Sequence, residues 1–197
     1  MTQPSATVVH GFAVVSVVFR PLLATLRRCS INATLCRFPS VGVPLQRMVD
    51  EVADDLSDRP PHGIVAHSLG CIATLLAVDR VGWAGPIVLL APPAALLPST
   101  KLIPSALRWP FGPLLDHRTL MASSGAPETP PGCRVLSVAG RYDCVVPASR
   151  TKSENFEEHV TVPCTHNGLL FSERVARLAA DWLTTADVAA PPARMAA

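Results

Sequence analysis

Charge is scarce in this chain. Asp, Glu, Lys and Arg make up 16% of its 197 residues, whereas 49% are hydrophobic, and the mean hydropathy is +0.32. The few charges nearly cancel: 17 basic residues face 15 acidic ones, for a net charge of +2. The basic residues are scattered, with Arg27-Arg28 the only arginine doublet. No basic footprint for nucleic acid is present. Long apolar runs are missing too. None approaches the roughly 20 residues that a membrane-spanning helix needs, so no integral membrane segment is expected. The start, Met1-Thr2-Gln3-Pro4-Ser5, has no basic leader region, and His10-Gly11 interrupts the apolar stretch from Val8 to Val18. The six cysteines (Cys29, Cys36, Cys71, Cys133, Cys144 and Cys164) show no C-x-x-C spacing, which argues against a zinc or redox centre. They read as reduced thiols of a cytoplasmic protein. A Cys144–Cys164 disulfide is the less favoured alternative. There is no internal repeat.

What remains is a chain rich in short β-branched runs separated by helical patterns. Strands are expected at Thr7–His10, Ile31–Cys36, Ile64–His67, Pro86–Leu90, Cys133–Ala139 and His159–Val162. Between them, Arg20-Pro21 opens a helix with proline at its favoured first position. Leu45, Met48, Val49, Val52 and Leu56 recur at helical spacing. Ile72–Val81 and Leu169–Leu183 read as further helices, and Ala148–Glu158 as a short one. Strands alternating with helices predict an α/β domain on a mostly parallel sheet of about six strands. That single domain spans residues 1–185. Residues 92–131, rich in proline yet apolar, form a lid-like insertion after the fourth strand, placed over the sheet edge and carrying one or two short helices. The alanine- and proline-rich tail, 186–197, is expected to be disordered.

Parallel sheets bind ligands beyond the carboxyl ends of their strands. His10, Ser68, Asp143 and His166 each fall just past such an end, which brings them to one edge. Ser68 lies in Ala66-His67-Ser68-Leu69-Gly70, between a strand and a helix, close to the G-x-S-x-G nucleophile elbow. Serine is also a favoured helix N-cap, the simpler explanation of its position. A serine hydroxyl becomes an effective nucleophile only beside a base, itself oriented by a third group. The order Ser68, Asp143, His166 supplies all three. Asp116 is the alternative acid, and Asp143 alternatively only starts a turn.

The matching pieces are Val8-Val9-His10-Gly11-Phe12, the Ser68 elbow, Gly140-Arg141-Tyr142-Asp143 with Val146-Pro147, and Thr165-His166-Asn167-Gly168. Taken in order, they resemble the α/β-hydrolase superfamily, in particular its small bacterial lipase- and esterase-like serine hydrolases. Arg20-Pro21-Leu22-Leu23 and Phe38-Pro39-Ser40 add to that likeness. Ala66 departs from it by replacing the first elbow glycine, and Cys71 stands where a further glycine is common. The resemblance implies a minimal six-stranded version of the fold, without the two strands that often precede the His-Gly strand. It implies a Ser68–His166–Asp143 triad cleaving a carboxylic ester through an acyl-enzyme, with no metal or cofactor. The oxyanion donors would be the N–H groups of Leu69 and Phe12, with Ala13 the alternative to Phe12. Phe12 and His10 are assigned to substrate binding, His10 chiefly by shaping the oxyanion loop, and His67 to structure. The expected partner is a small-molecule ester or lipid-like substrate. Thioester cleavage or acyl transfer would use the same residues, and a non-catalytic binding protein on the same fold is the competing class.

Overall fold

The computed structural model describes residues 3–185. The tail expected to be disordered, 186–197, lies outside them. Six strands form one wholly parallel sheet: β1 (Ser5–Val9), β2 (Asn32–Cys36), β3 (Gly63–His67), β4 (Gly85–Leu90), β5 (Cys133–Gly140) and β6 (Glu158–Val162). Their order across the sheet is β2-β1-β3-β4-β5-β6. The chain therefore winds first to one side of β1 and then to the other. The reversal falls between β1 and β3, the topological switch point at which open α/β sheets bind ligands.

Helices cover both faces. On one lie α1 (Arg20–Arg28), α5 (Gly168–Phe171) and α6 (Glu173–Thr185); on the other lie α2 (Leu45–Asp58), α3 (Leu69–Val81) and α4 (Arg108–Ser123). Packing explains their sequence patterns. α2 is amphipathic and buries Leu45, Met48, Val49, Val52, Ala53 and Leu56. α3 runs next to it, has almost no polar face, and begins directly at Leu69 rather than Ile72. Gly82, with φ 65°, closes α3 in the left-handed conformation that glycine adopts without penalty.

Three expectations are corrected. Ala148–Glu158 is not a helix: only a 3₁₀ turn at Ala148–Arg150 forms. The Thr151 hydroxyl donates to the Ala148 carbonyl and the Ser153 hydroxyl accepts from the Asn155 N–H, so local side-chain bonds displace the helical ladder. The last helix is broken at Ser172, whose ψ of 113° ends α5 and whose hydroxyl accepts the Val175 N–H at the start of α6. Residues 92–131 carry more than short helices: Arg108–Ser123 is a helix of 16 residues. β4 and β5 are parallel neighbours, and parallel strands need a crossover between them. This segment is that crossover, with α4 as its helix, kinked around Trp109 and Phe111 and packed on α2 and α3.

All six cysteines are free thiols. Among the described residues, no helix is long and apolar enough to cross a membrane.

Candidate active site

A strained turn lies where β3 meets α3. Ser68 sits there with φ 56° and ψ −132°, a conformation that L-residues seldom adopt. Its N–H donates to the Leu90 carbonyl at 2.8 Å, which fixes the turn to the end of β4. Its hydroxyl makes no cap to α3, so the N-cap explanation fails. Instead Oγ lies 3.1 Å from Nε2 of His166.

His166 comes from the loop after β6, and its Nδ1 lies 2.7 Å from Oδ2 of Asp143, in the loop after β5. The two loops run together: the Arg141 and Tyr142 N–H groups donate to the Val162 and Cys164 carbonyls. Gly140 makes this approach possible, because a Cβ there would stand 2.6 Å from the Cys164 carbonyl oxygen. Oδ1 of Asp143 accepts the N–H groups of Val145 and Val146, both at 2.8 Å. Burial pushes the Asp143 carboxyl up. The bond to His166, the Val146 N–H, the imidazole charge and the Val145 N–H outweigh it, and the net shift is downward. An ionised Asp143 accepts the proton on Nδ1, which leaves Nε2 as the acceptor facing the Ser68 hydroxyl.

The loop after β1 presses onto the elbow from the other side. A Cβ on Gly11 would meet the Ser68 Cβ at 2.8 Å and the His67 carbonyl at 2.9 Å. A Cβ on Gly70 would meet the His10 carbonyl oxygen at 2.4 Å. Both glycines are needed for the two backbones to touch. His10 holds this loop. Its ring is buried and stacks on Phe38 at 4.0 Å. Nε2 accepts the Phe38 N–H and Nδ1 donates to the Gly11 carbonyl. Burial lowers its pKa, in keeping with a neutral ring. With both nitrogens engaged by backbone, His10 shapes the loop and has none left for a substrate. Ala13 is excluded as an oxyanion donor for a similar reason: its N–H donates to the Ser40 hydroxyl at 3.1 Å. The Phe12 and Leu69 N–H groups remain as the candidate pair. The Phe12 ring packs near Phe111 of the crossover, with ring centroids 6.0 Å apart.

Asp116 lies elsewhere. Its carboxylate accepts the Leu45 N–H at 2.9 Å and pairs with Arg108. It thereby caps α2, whose own N-cap, Pro44, offers no side-chain bond. His117 is fully buried on α4 and donates Nε2–H to the Pro93 carbonyl.

Sequence reasoning missed two participants. Ser40, buried in the loop after β2, orients the Ala13 peptide. His67 does more than fill space. Its ring lies 4.7 Å from that of His166, and its Nε2 donates to the His166 carbonyl at 3.2 Å. Burial first, and the nearby His166 second, push its pKa down to about 3. Among the described residues, no group of three His, Cys, Asp or Glu side chains is placed to hold a metal ion.

A parallel sheet with a strained serine at a β3–α3 turn, an acid beyond β5 and a histidine beyond β6 has the arrangement of the α/β-hydrolase fold. The chain has that fold. Comparison with solved structures agrees over nearly its full length. It superposes on polyneuridine aldehyde esterase with a TM-score of 0.69 at 13% identity, covering 91% of this chain and 99% of that one. The esterase domain of a Rhodothermus marinus protein gives 0.60 at 16% identity, covering 93% and 86%. A monoacylglycerol lipase of Paleococcus ferrophilus gives 0.60 at 14% identity, covering 92% and 94%. No protein-family model matches the chain, and no curated protein sequence matches it.

Proposed function

We propose that the protein is a serine hydrolase that cleaves carboxylic esters through an acyl-enzyme. The observation that carries this reading is the unbroken Ser68–His166–Asp143 chain, at 3.1 and 2.7 Å. Structural neighbours named as esterases and a lipase support the reaction class. Ser68 Oγ attacks the ester carbonyl carbon while its proton passes to His166 Nε2. The tetrahedral oxyanion accepts from the Phe12 and Leu69 N–H groups; losing one such donor typically costs about 3 kcal/mol of barrier. As the intermediate collapses, the ester C–O bond breaks, and the leaving alcohol takes the proton from His166. Water then attacks the acyl-Ser68 carbonyl, giving its proton to His166, which returns it to Ser68 as the acid departs. Asp143 stays ionised, holds the tautomer and stabilises the imidazolium. The free thiols suit a reducing compartment, and we assign the reaction to the cytoplasm.

A fluorophosphonate probe tests the assignment. It labels the wild type and fails to label Ser68→Ala, while His166→Ala loses several orders of magnitude in turnover of a p-nitrophenyl ester. A folded wild type that resists labelling overturns the enzyme reading, and full turnover by His166→Ala overturns the base assignment.

A further inference from the structure

The large apolar side chains left exposed are not spread over the molecule. Among the described residues, all nine lie in connections that leave the carboxyl ends of strands, the edge that holds Ser68, Asp143 and His166. Val15 and Val17 follow β1, Val41 follows β2, Trp109 lies in the kink at the start of α4, Tyr142 follows β5 and Phe171 follows β6. Trp109 is 77% exposed and Val15 is 65% exposed. None lies in the turns at the amino edge.

Charge is sorted in the same way. Segments 10–20, 37–44, 91–107, 141–147 and 163–172 carry Arg20, Arg37, Lys101 and Arg141, all exposed. Their one acid is Asp143, which is buried and bonded to His166. Four basic residues against one acid exceed the charge of the whole chain, +2, so the rest of the molecule is net acidic. The acids concentrate on α2, with Asp50, Glu51, Asp54, Asp55 and Asp58.

From this coincidence of apolar and basic side chains on one edge, we propose that the rim around the site docks on an anionic lipid surface. Exposed apolar patches mark interaction sites, and basic residues near a membrane are drawn to anionic headgroups. The apolar residues stand on five separate connections, interspersed with cations. A fluid surface conforms to such a rim, whereas a folded protein partner needs one contiguous, shape-matched patch. The acidic remainder of the molecule orients the rim toward the surface. Docked in this way, the site faces the lipid, and an ester substrate dissolved there reaches Ser68 without crossing water. That last step rests on the proposed ester hydrolysis; the docking does not.

The test uses the full chain carrying Ser68→Ala, so that turnover plays no part in it. Extruded vesicles of phosphatidylcholine alone, and of phosphatidylcholine with phosphatidylglycerol, are compared by co-sedimentation and by tryptophan emission. Binding is expected to be at least tenfold tighter to the anionic vesicles, to weaken with salt, and to shift Trp109 emission to the blue. The shift is expected to vanish in Trp109→Phe. The combined variant Arg20→Glu, Arg37→Glu, Lys101→Glu changes only exposed residues and is expected to lose at least tenfold in binding with an unchanged circular dichroism spectrum. Val15→Ser with Val17→Ser weakens binding in the same direction. Equal affinity for both vesicles, indifference to the charge reversals, or no binding overturns the proposal. Absence of vesicle binding together with concentration-dependent self-association assigns the rim to a second copy of the chain instead. Docking without turnover of soluble esters by the wild type sinks only the proposed hydrolysis, and turnover without docking sinks only this inference.

Discussion

Two imidazoles lie almost in contact in the site, and their environments divide the labour. His166 reaches Ser68 and Asp143 with its two nitrogens. His67 is buried beneath it, with Nδ1 free of any hydrogen-bond partner and Nε2–H on the His166 carbonyl. A proton on His67 would place a second cation against the imidazolium of the proposed attack, so a neutral His67 is the state that the proposed mechanism needs. Its bond also fixes the backbone of the base. His67→Phe keeps the packing against Phe19 and loses the donor. The expected result is a fall in kcat of about tenfold, the worth of one hydrogen bond, with KM unchanged. His67→Gln, which retains an N–H donor, is expected to recover part of it. Steady-state kinetics of the two variants on one activated ester decide the point, and an unimpaired kcat in His67→Phe refutes the positioning role. The placement of Ser68, Asp143 and His166 was legible in the sequence because each follows a strand by a few residues, and strand ends are local features. The bond that occupies the Ala13 N–H was not, since it comes from Ser40, 27 residues away. The His67–His166 bond joins residues 99 apart and leaves no trace in any local pattern.

At the level of elements, the site depends on how closely the β1 loop meets the β3–α3 turn. Gly70 is the contact point on the helix side. Gly70→Ala drives a Cβ into the His10 carbonyl, where no flexible side chain can give way. Such overpacking typically costs 1–3 kcal/mol, here about 2, and it moves the Phe12 N–H away from the oxyanion position. The expected phenotype is a stable but slow enzyme: a modest loss in urea-unfolding free energy and a much larger loss in kcat/KM. A variant whose activity falls only in proportion to its folded fraction contradicts this coupling. The strands and the periodic helices were legible because burial imposes its period on the sequence. α2 was the clearest, with one apolar stripe facing the core. The failures lay where side-chain bonds to the backbone decide the outcome. Thr151, Ser153 and Ser172 each redirect the chain through a hydroxyl. The paired α2–α4 ends are invisible without the fold, because Asp116 caps a helix that starts 71 residues earlier.

For the molecule as a whole, buried histidines set the response to acid. Burial lowers the pKa of His10, His67 and His117 from the usual 6.5, that of His67 to about 3. Below about pH 6.5 the unfolded chain takes up protons that the native state refuses, so stability falls as pH falls, until the folded pKa is reached. For His67 alone the loss at pH 5 is about 2 kcal/mol. Thermal unfolding between pH 7 and pH 5 is expected to show a clear fall in Tm, with a shallower fall in His67→Gln. Equal slopes in the two proteins contradict a neutral buried His67. The parallel sheet and its carboxyl-edge site were readable from the alternation of strand and helix, whereas the nature of residues 92–131 was not. Proline and loose periodicity mark an insertion after the fourth strand, and the pairing of β4 with β5 makes this stretch the route between them as well. For protein engineering, that makes it an exchangeable cassette that cannot be deleted. Its splice points are defined, because the Ala91 N–H bonds to Val138 and the Cys133 N–H to Pro130 at either end. A shorter graft must still return the chain along the whole sheet and still cap α2 in place of Asp116. Recombination with a relative's equivalent segment would alter the aromatic cover beside Phe12 and the stability of the barrel-less sheet in one stroke, so selection for a new substrate here is also selection for folding.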